Sequence, residues 1–150
     1  MRILVINPGS TSTKVAVYED ERPVLLRNIR HTADELQQYA TSFDQLPLRQ
    51  NKIVQTLEEE EIPFDFDAIV GRGGLTHPIP AGVYRVNAQM LHDTRTAIRQ
   101  HVCNLGCHIA AALASQIDHC EALIADPVIV DEMCAEARIC GCLLYTSDAA

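Results

Sequence analysis

The sequence lacks the features that would place the chain in a membrane or on nucleic acid. None of its apolar runs approaches the roughly 20 residues that a membrane-spanning helix needs. Twelve Lys and Arg residues against 20 Asp and Glu residues give a net charge of -8, and no basic cluster could neutralise nucleic-acid phosphates. Without a secretory leader or a CxxC pair, the six cysteines are expected to be reduced thiols and not zinc ligands. We therefore expect a cytoplasmic protein that binds neither nucleic acid nor membrane.

The composition and the hydrophobic pattern predict one α/β domain. The 150 residues are 47% hydrophobic and 21% charged, which is typical of a soluble globular chain. The apolar runs predict strands over residues 2–6, 15–18, 24–29, 66–70 and 122–125. Helices are predicted from a capping box at Thr32, from the spacing of Leu46, Ile53 and Leu57, from an Asn87 cap with Ile98 on the same helix, from Asn104, and from Asp131. In such a domain the loops at the strand ends carry the chemistry.

The last nine residues, 142–150, do not continue the pattern that precedes them. They interrupt a predicted helix after about two turns, and one reverse translation of them matches the transposon-end adapter used for sequencing libraries. We expect this tail to be non-native and the chain to be a truncated N-terminal piece. The alternative is a natural C-terminus with a chance match.

The segment between the first two predicted strands is rich in groups that bind phosphate. It contains Asn7, Gly9, Ser10, Thr11, Ser12 and Lys14. Hydroxyl and backbone N–H groups donate to phosphate oxygens, and a glycine lets the backbone approach closely. The segment is not a P-loop, because it has no GK[ST] sequence. These residues fit a phosphate loop and a solvated hairpin turn equally well.

A glycine-rich segment, Gly71-Arg72-Gly73-Gly74, directly follows the fourth predicted strand. The three glycines leave space around one guanidinium, whose planar fork suits a phosphoryl group or a carboxylate. Taken alone, this segment is more simply a turn with an exposed arginine.

Two carboxylates follow the last predicted strand. Asp126 ends the apolar run 122–125, and Asp131 comes five residues later. A carboxylate in this position can hold Mg²⁺ through water, because Mg²⁺ keeps most of its hydration shell. The alternative is an Asp-Pro turn at Asp126 and a helix cap at Asp131.

Together these segments resemble the acetate and butyrate kinase family, most closely its butyrate kinase branch. The matching segments are 3–14, 70–75, 78–84, 104–106 and 126–131, within a resemblance that covers residues 1–139. Cys103 and Cys107 depart from it, since small residues are expected there. The resemblance implies an actin-like ATPase fold with two ribonuclease-H-like domains of mixed sheet and helices. Of these, only the first, residues 1–141, would be present here.

The resemblance also implies an activity and a site. The reaction would be reversible phosphoryl transfer between ATP and a short-chain carboxylate, giving an acyl phosphate and ADP, with Mg²⁺ as cofactor. Arg72 would bind the phosphoryl group or the carboxylate, and Asp126 would hold Mg²⁺ through water. The phosphate contacts would be Asn7, Gly9, Ser10, Thr11, Ser12 and Lys14, and the substrate-side loop would include Gly71, Gly73, Gly74 and Asn104.

The whole enzyme is expected to be a homo-oligomer. Two other functions remain open. One is an acetate or propionate kinase, since the sequence does not give the size of the acyl pocket. The other is a non-enzymatic, actin-like nucleotide-binding protein, in which the same loop only senses phosphate.

Overall fold

The structure, a computed structural model, describes residues 1–128, Cys134, Glu136 and the backbone of residues 139–140 and 143–144. The predicted helix start at Asp131 lies outside the described residues. So does the expected non-native tail, except for the backbone of 143–144. In the described part of the chain, no helix has both the length and the apolar character to cross a membrane.

The described residues form a six-stranded mixed sheet with helices, and a separate two-stranded ladder. The strands are β1 (Arg2–Pro8), β2 (Ser12–Glu19), β3 (Arg22–Arg30), β4 (Ala68–Arg72), β5 (Val83–Arg85), β6 (Glu121–Ala125), β7 (Ile139–Cys140) and β8 (Leu143–Leu144). The helices are α1 (Ala33–Leu36), α2 (Leu46–Glu59), α3 (Ala88–Thr96) and α4 (Leu105–Ala114), with short 3₁₀ turns at Phe43–Gln45 and Val102–Asn104. The order in the large sheet is β3-β2-β1-β4-β6-β5, and β7 pairs with β8.

The first three strands form two consecutive antiparallel hairpins. β1 pairs with β2 from Arg2↔Glu19 to Pro8↔Thr13, so the predicted hairpin with the hydroxyl-rich segment at its tip is confirmed. β3 lies at the edge of the sheet and has a neighbouring strand on one side only. A proline is tolerated in such a strand, because it lacks the N–H that a central strand needs for its hydrogen bonds. Pro23 occupies such a position in β3.

Three parallel strands bring the predicted site segments to one edge of the sheet. β1 pairs in parallel with β4, and β4 pairs in parallel with β6. Parallel neighbours need long crossover connections, which contain α2 between β3 and β4, and α3 and α4 between β4 and β6. The carboxyl ends of β1, β4 and β6 therefore lie together. Each end leads into one of the predicted site segments. The loop after Pro8 follows β1, Gly73 and Gly74 follow β4, and Asp126 follows β6.

The core lies between the sheet and helices α2 and α4. Side chains alternate between the two faces of a strand, and one face of the sheet supplies Leu4, Ile6, Val17 and Ile69 to the core. The helices contribute Ile53, Leu57, Leu105, Ile109 and Leu113. Most side chains on the opposite face are half-buried or exposed, although Ala68 is buried; Leu26 there is 59% exposed.

The structure corrects two of the sequence predictions and confirms a third. α3 begins at its Asn87 cap as expected but ends at Thr96, so Ile98 lies outside it and is fully exposed. The segment after the prolines includes a short strand, β5, that was not predicted. The capping box at Thr32 is present, with both of its hydrogen bonds to Glu35.

Candidate functional site

The register of the sheet places three of the predicted site residues on one face. Asn7 in β1 pairs directly with Lys14 in β2. Ile6 pairs with Gly71 in β4, so Arg72 is the neighbour of Asn7 on that side. These three side chains share the face opposite the core, where Lys14 and Arg72 are exposed and Asn7 is half-buried. None of the three has a side-chain hydrogen bond or ion pair with another described residue.

Within the predicted phosphate-binding segment, residues 9–12 form a tight turn, here called the phosphate loop, which packs on a buried arginine. The N–H of Gly9 donates to the carbonyl of Ser12 at 2.7 Å. Arg49 of α2 is fully buried and donates to the carbonyls of Gly9 at 3.0 Å, Ser12 at 3.2 Å and Ser10 at 3.4 Å. The loop carbonyls therefore point towards the interior of the domain.

The first residue of β2 after the loop continues this buried network. The hydroxyl of Thr13 lies 3.0 Å from Nη1 of Arg49, which donates to it, and 2.9 Å from Nε2 of His31. Arg49 can only donate, so the hydroxyl oxygen accepts from it and can give its proton to Nε2 of a neutral His31. Burial, and then the charges of Arg49 and Lys52, lower the pKa of His31 from 6.5 to about 4.

Sequence reasoning missed Arg49 and His31. An arginine in a helix is normally exposed, and nothing in its immediate sequence marks it as buried. One signal was available: Arg49 lies four residues before Ile53 and eight before Leu57, on the same helix face, and all three are buried. A polar residue at a core position of a helix is a candidate for a buried network.

The glycine-rich segment is shaped by close packing against the start of α4. A Cβ on Gly71 would lie 2.3 Å from the carbonyl oxygen of Gly106, so only glycine fits there. Gly73 and Gly74 have φ values of 87° and 115°, a backbone conformation that favours glycine. Arg72 thus projects from a closely packed backbone on the exposed side of the sheet.

Asn104, expected on the substrate-side loop, is fully buried, and its side chain holds that loop in place. Its Oδ1 accepts the N–H of Leu75 at 3.0 Å, and its Nδ2 donates to the carbonyls of Thr94 at 3.0 Å and Arg99 at 3.4 Å. α4 starts after Asn104 as predicted, but this side chain does not cap it. The structure thus places Asn104 behind the loop and not on its accessible side.

Asp126 ends β6 with a left-handed backbone, at a φ of 44°. Its N–H donates to the carbonyl of Gly82 at 3.0 Å, and its Oδ1 accepts the N–H of Gly82 at 3.2 Å. The side chain is exposed, and its second carboxylate oxygen has no partner among the described residues. That oxygen is available to accept a hydrogen bond from water. Within the described residues no group of three or more side chains could hold a metal, so Mg²⁺ here would also need water and phosphate ligands.

A cleft of about 950 Å³ opens beside the glycine-rich segment. The residues after that segment form one wall, and the end of α3 with the chain that follows it forms the other. Its apolar lining includes Leu75, Pro78, Ala97, Ile98 and Val128, and its polar lining includes His77, Asp93 and His101. Its volume exceeds what a four-carbon acid requires, so it does not set a chain length.

The chain is similar in sequence to butyrate kinases, although no family model matches it. It is 58% identical over 141 residues to the probable butyrate kinase of Bacteroides thetaiotaomicron, a match that covers 94% of this chain and 40% of that protein. It is 46% identical over 142 residues to butyrate kinase 1 of Clostridium acetobutylicum, covering 93% and 40%. The chain therefore spans about two fifths of the length of these relatives.

A solved structure shows the same fold at much lower sequence identity. Acetate kinase from Entamoeba histolytica matches with a TM-score of 0.52 over 83% of this chain and 36% of that chain, at 12% identity. This likeness concerns the fold alone, and it confirms the expected actin-like ATPase fold with a mixed sheet and helices. The chain is thus a homologue of butyrate kinases that has the fold of an acetate kinase.

Proposed function

We propose that this chain is the N-terminal part of a butyrate kinase, which transfers a phosphoryl group reversibly between ATP and butanoate. The observation that carries the proposal is the meeting of three groups at the carboxyl edge of β1, β4 and β6. They are the phosphate loop, the exposed Arg72 and the exposed Asp126. The homology to butyrate kinases supports butanoate as the acceptor.

The chemistry of this reaction fits a site with few catalytic groups. A carboxylic acid has a solution pKa far below 7, so the substrate is already deprotonated and no general base is needed. The protein must align the donor and acceptor and neutralise charge on the phosphoryl oxygens. Arg72 can do both, because its planar fork can hold two oxygens of one group. We infer direct in-line transfer without a covalent enzyme intermediate.

The phosphate contacts come from β1, β2 and the loop between them. The inward carbonyls of Gly9 and Ser10 leave the N–H groups of the following residues directed outwards, since the two groups of a peptide plane point in opposite directions. Lys14 and Asn7 lie beside them on the exposed face. Mg²⁺, when bound, neutralises phosphate charge, and Asp126 would hold it through water.

The acyl chain has a candidate position in the cleft that begins at Leu75. This cleft follows the glycine-rich segment directly and has several apolar side chains. The short hydrocarbon chain of the acid would be removed from water there.

We infer that the described domain provides one wall of the site. The relatives are more than twice as long as this chain, and an actin-like kinase closes two domains over its nucleotide. Residues 1–141 would be the first domain and residues 142–150 a non-native tail. The second domain would supply the adenosine site in a cytoplasmic homo-oligomer.

The proposal is tested by tracing the reading frame beyond codon 141 in an independent clone and expressing the complete protein. Butanoate, ATP, Mg²⁺ and hydroxylamine should give the hydroxamate of butanoyl phosphate, at a higher kcat/KM than with acetate or propionate. The 150-residue chain alone should give none, because alignment of reactants in a closed cleft can lower the barrier by roughly 7–11 kcal/mol. Nucleotide binding by the complete protein without any hydroxamate would indicate the non-enzymatic alternative.

A further inference from the structure

Arg49 is a buried charge that has no acidic partner among the described residues. Its side chain is fully buried, and no described carboxylate lies within ion-pair distance of it. Burial lowers its pKa, but an arginine keeps its charge in a protein. A buried charge is costly unless other polar groups surround it. Here the surrounding groups are the loop carbonyls, the hydroxyl of Thr13 and the amide oxygen of Gln45, which accepts from Nη2 at 2.9 Å and from Nε at 3.3 Å.

These bonds fix the orientation of the phosphate loop. The carbonyls of Gly9 and Ser10 accept from Arg49, so the N–H groups of Ser10 and Thr11 face away from it. Neither N–H has an acceptor among the described residues. Both residues are exposed, so these two donors are available to an anion.

We propose that Arg49 is a positioning residue for phosphoryl binding: it holds the loop carbonyls inwards so that the N–H groups of Ser10 and Thr11 bind phosphate oxygens. It acts through the loop and does not touch the ligand. The inference rests on the proposed function, because it assumes that this loop binds phosphoryl groups. A buried cation below the loop also favours an anion above it, since its field is weakly screened in the interior.

The alternative is that Arg49 only joins α2 to the β1–β2 hairpin. In that case its loss would lower the stability of the domain and leave the anion affinity of the folded molecules unchanged. The two roles are therefore separated by measuring anion binding and stability on the same variants.

The experiment uses the 150-residue chain, with pyrophosphate as the probe and the backbone amide resonances of Ser10 and Thr11 as the readout. In the wild type these two resonances should shift on titration. Arg49→Met keeps the length of the side chain and removes its charge and donors. We expect it to raise the dissociation constant for pyrophosphate about tenfold or more. Arg49→Lys should recover part of this loss, because it restores the charge and some of the donors.

The matched control is Arg22→Met, because Arg22 is exposed at the start of β3, away from the loop. It should leave the dissociation constant unchanged. Urea unfolding of each variant shows whether binding is compared between folded proteins. If Arg49→Met does not fold, Gln45→Ala decides the matter. It removes the acceptor of two Arg49 bonds without altering the loop, and should weaken pyrophosphate binding about threefold.

The outcomes separate the two proposals. Folded Arg49→Met that binds pyrophosphate as tightly as the wild type would overturn the positioning role, as would an unchanged Gln45→Ala where Arg49→Met is unfolded. Wild-type Ser10 and Thr11 resonances that do not move would instead show that the loop does not bind phosphoryl groups, which would overturn the proposed function at this site.

Discussion

Acidification should destabilise this domain through one buried histidine. His31 is 4% exposed, and Arg49 and Lys52 both oppose its protonation, whereas Glu35 favours it. Its pKa is about 4 in the folded chain and 6.5 in a solvated one. Between these values the unfolded chain binds a proton that the folded chain does not, so stability falls as the pH falls. The slope is about 1.4 kcal/mol per pH unit, which gives a loss of about 2 kcal/mol between pH 6.5 and pH 5.

The assay is urea unfolding of the wild type and of His31→Gln at pH 7 and pH 5. The glutamine carbonyl can still accept the hydroxyl proton of Thr13, but the side chain does not titrate. The wild type should lose about 2 kcal/mol more than His31→Gln over this interval. His92→Gln, at an exposed position of α3, should retain the pH dependence of the wild type. Equal losses in the wild type and in His31→Gln would refute the reasoning.

Three further predictions concern the edge of the sheet. In the complete protein, Arg72→Lys keeps the positive charge but loses the planar fork of the guanidinium. The kcat should therefore fall about a hundredfold, with little change in the KM for ATP. An unchanged kcat would show that Arg72 is not part of the site. Asp126→Asn should raise the Mg²⁺ concentration for half-maximal rate about tenfold, and an unaltered magnesium curve would contradict the metal role. In the 150-residue chain, Gly71→Ala should cost about 1–3 kcal/mol of unfolding free energy, because its Cβ would meet the Gly106 carbonyl oxygen at 2.3 Å. Gly9→Ala is the control, since its Cβ would come no closer than 3.4 Å to its neighbours; equal destabilisation would show that the packing at α4 is not the cause.

The sequence was sufficient for the main strands because each is a short apolar run between turn residues. It was not sufficient for β5, since the three residues Val83–Arg85 are too few to show an alternation of apolar and polar side chains. The end of α3 was misjudged because Ile98 follows Thr94 at helical spacing, although the helix stops at Thr96. Spacing alone cannot distinguish an apolar residue that continues a helix from one that follows it.

The exposed part of the candidate site could be predicted, whereas the groups that support it could not. Phosphate-binding residue types are concentrated between β1 and β2, and this local enrichment is visible in the sequence. The contact between Arg49 and Gly9 joins residues 40 positions apart, and it depends on how α2 packs against the hairpin. The role of Asn104 likewise depends on Leu75, 29 positions earlier in the chain.

The shared face of Asn7, Lys14 and Arg72 limits how the chain can change in length. Neighbouring positions of a strand face opposite sides, so one residue inserted between Leu4 and Ile6 would move every later side chain of β1 to the other face of the sheet. Asn7 would then enter the core, and Ile6 would leave it. The side chains of the connection over residues 75–82 do not alternate between two faces in this way. One residue more or less there would therefore change only the outline of the cleft. Length variation among homologues should therefore be found in that connection and be absent from β1, and an alignment of complete sequences would show whether it is.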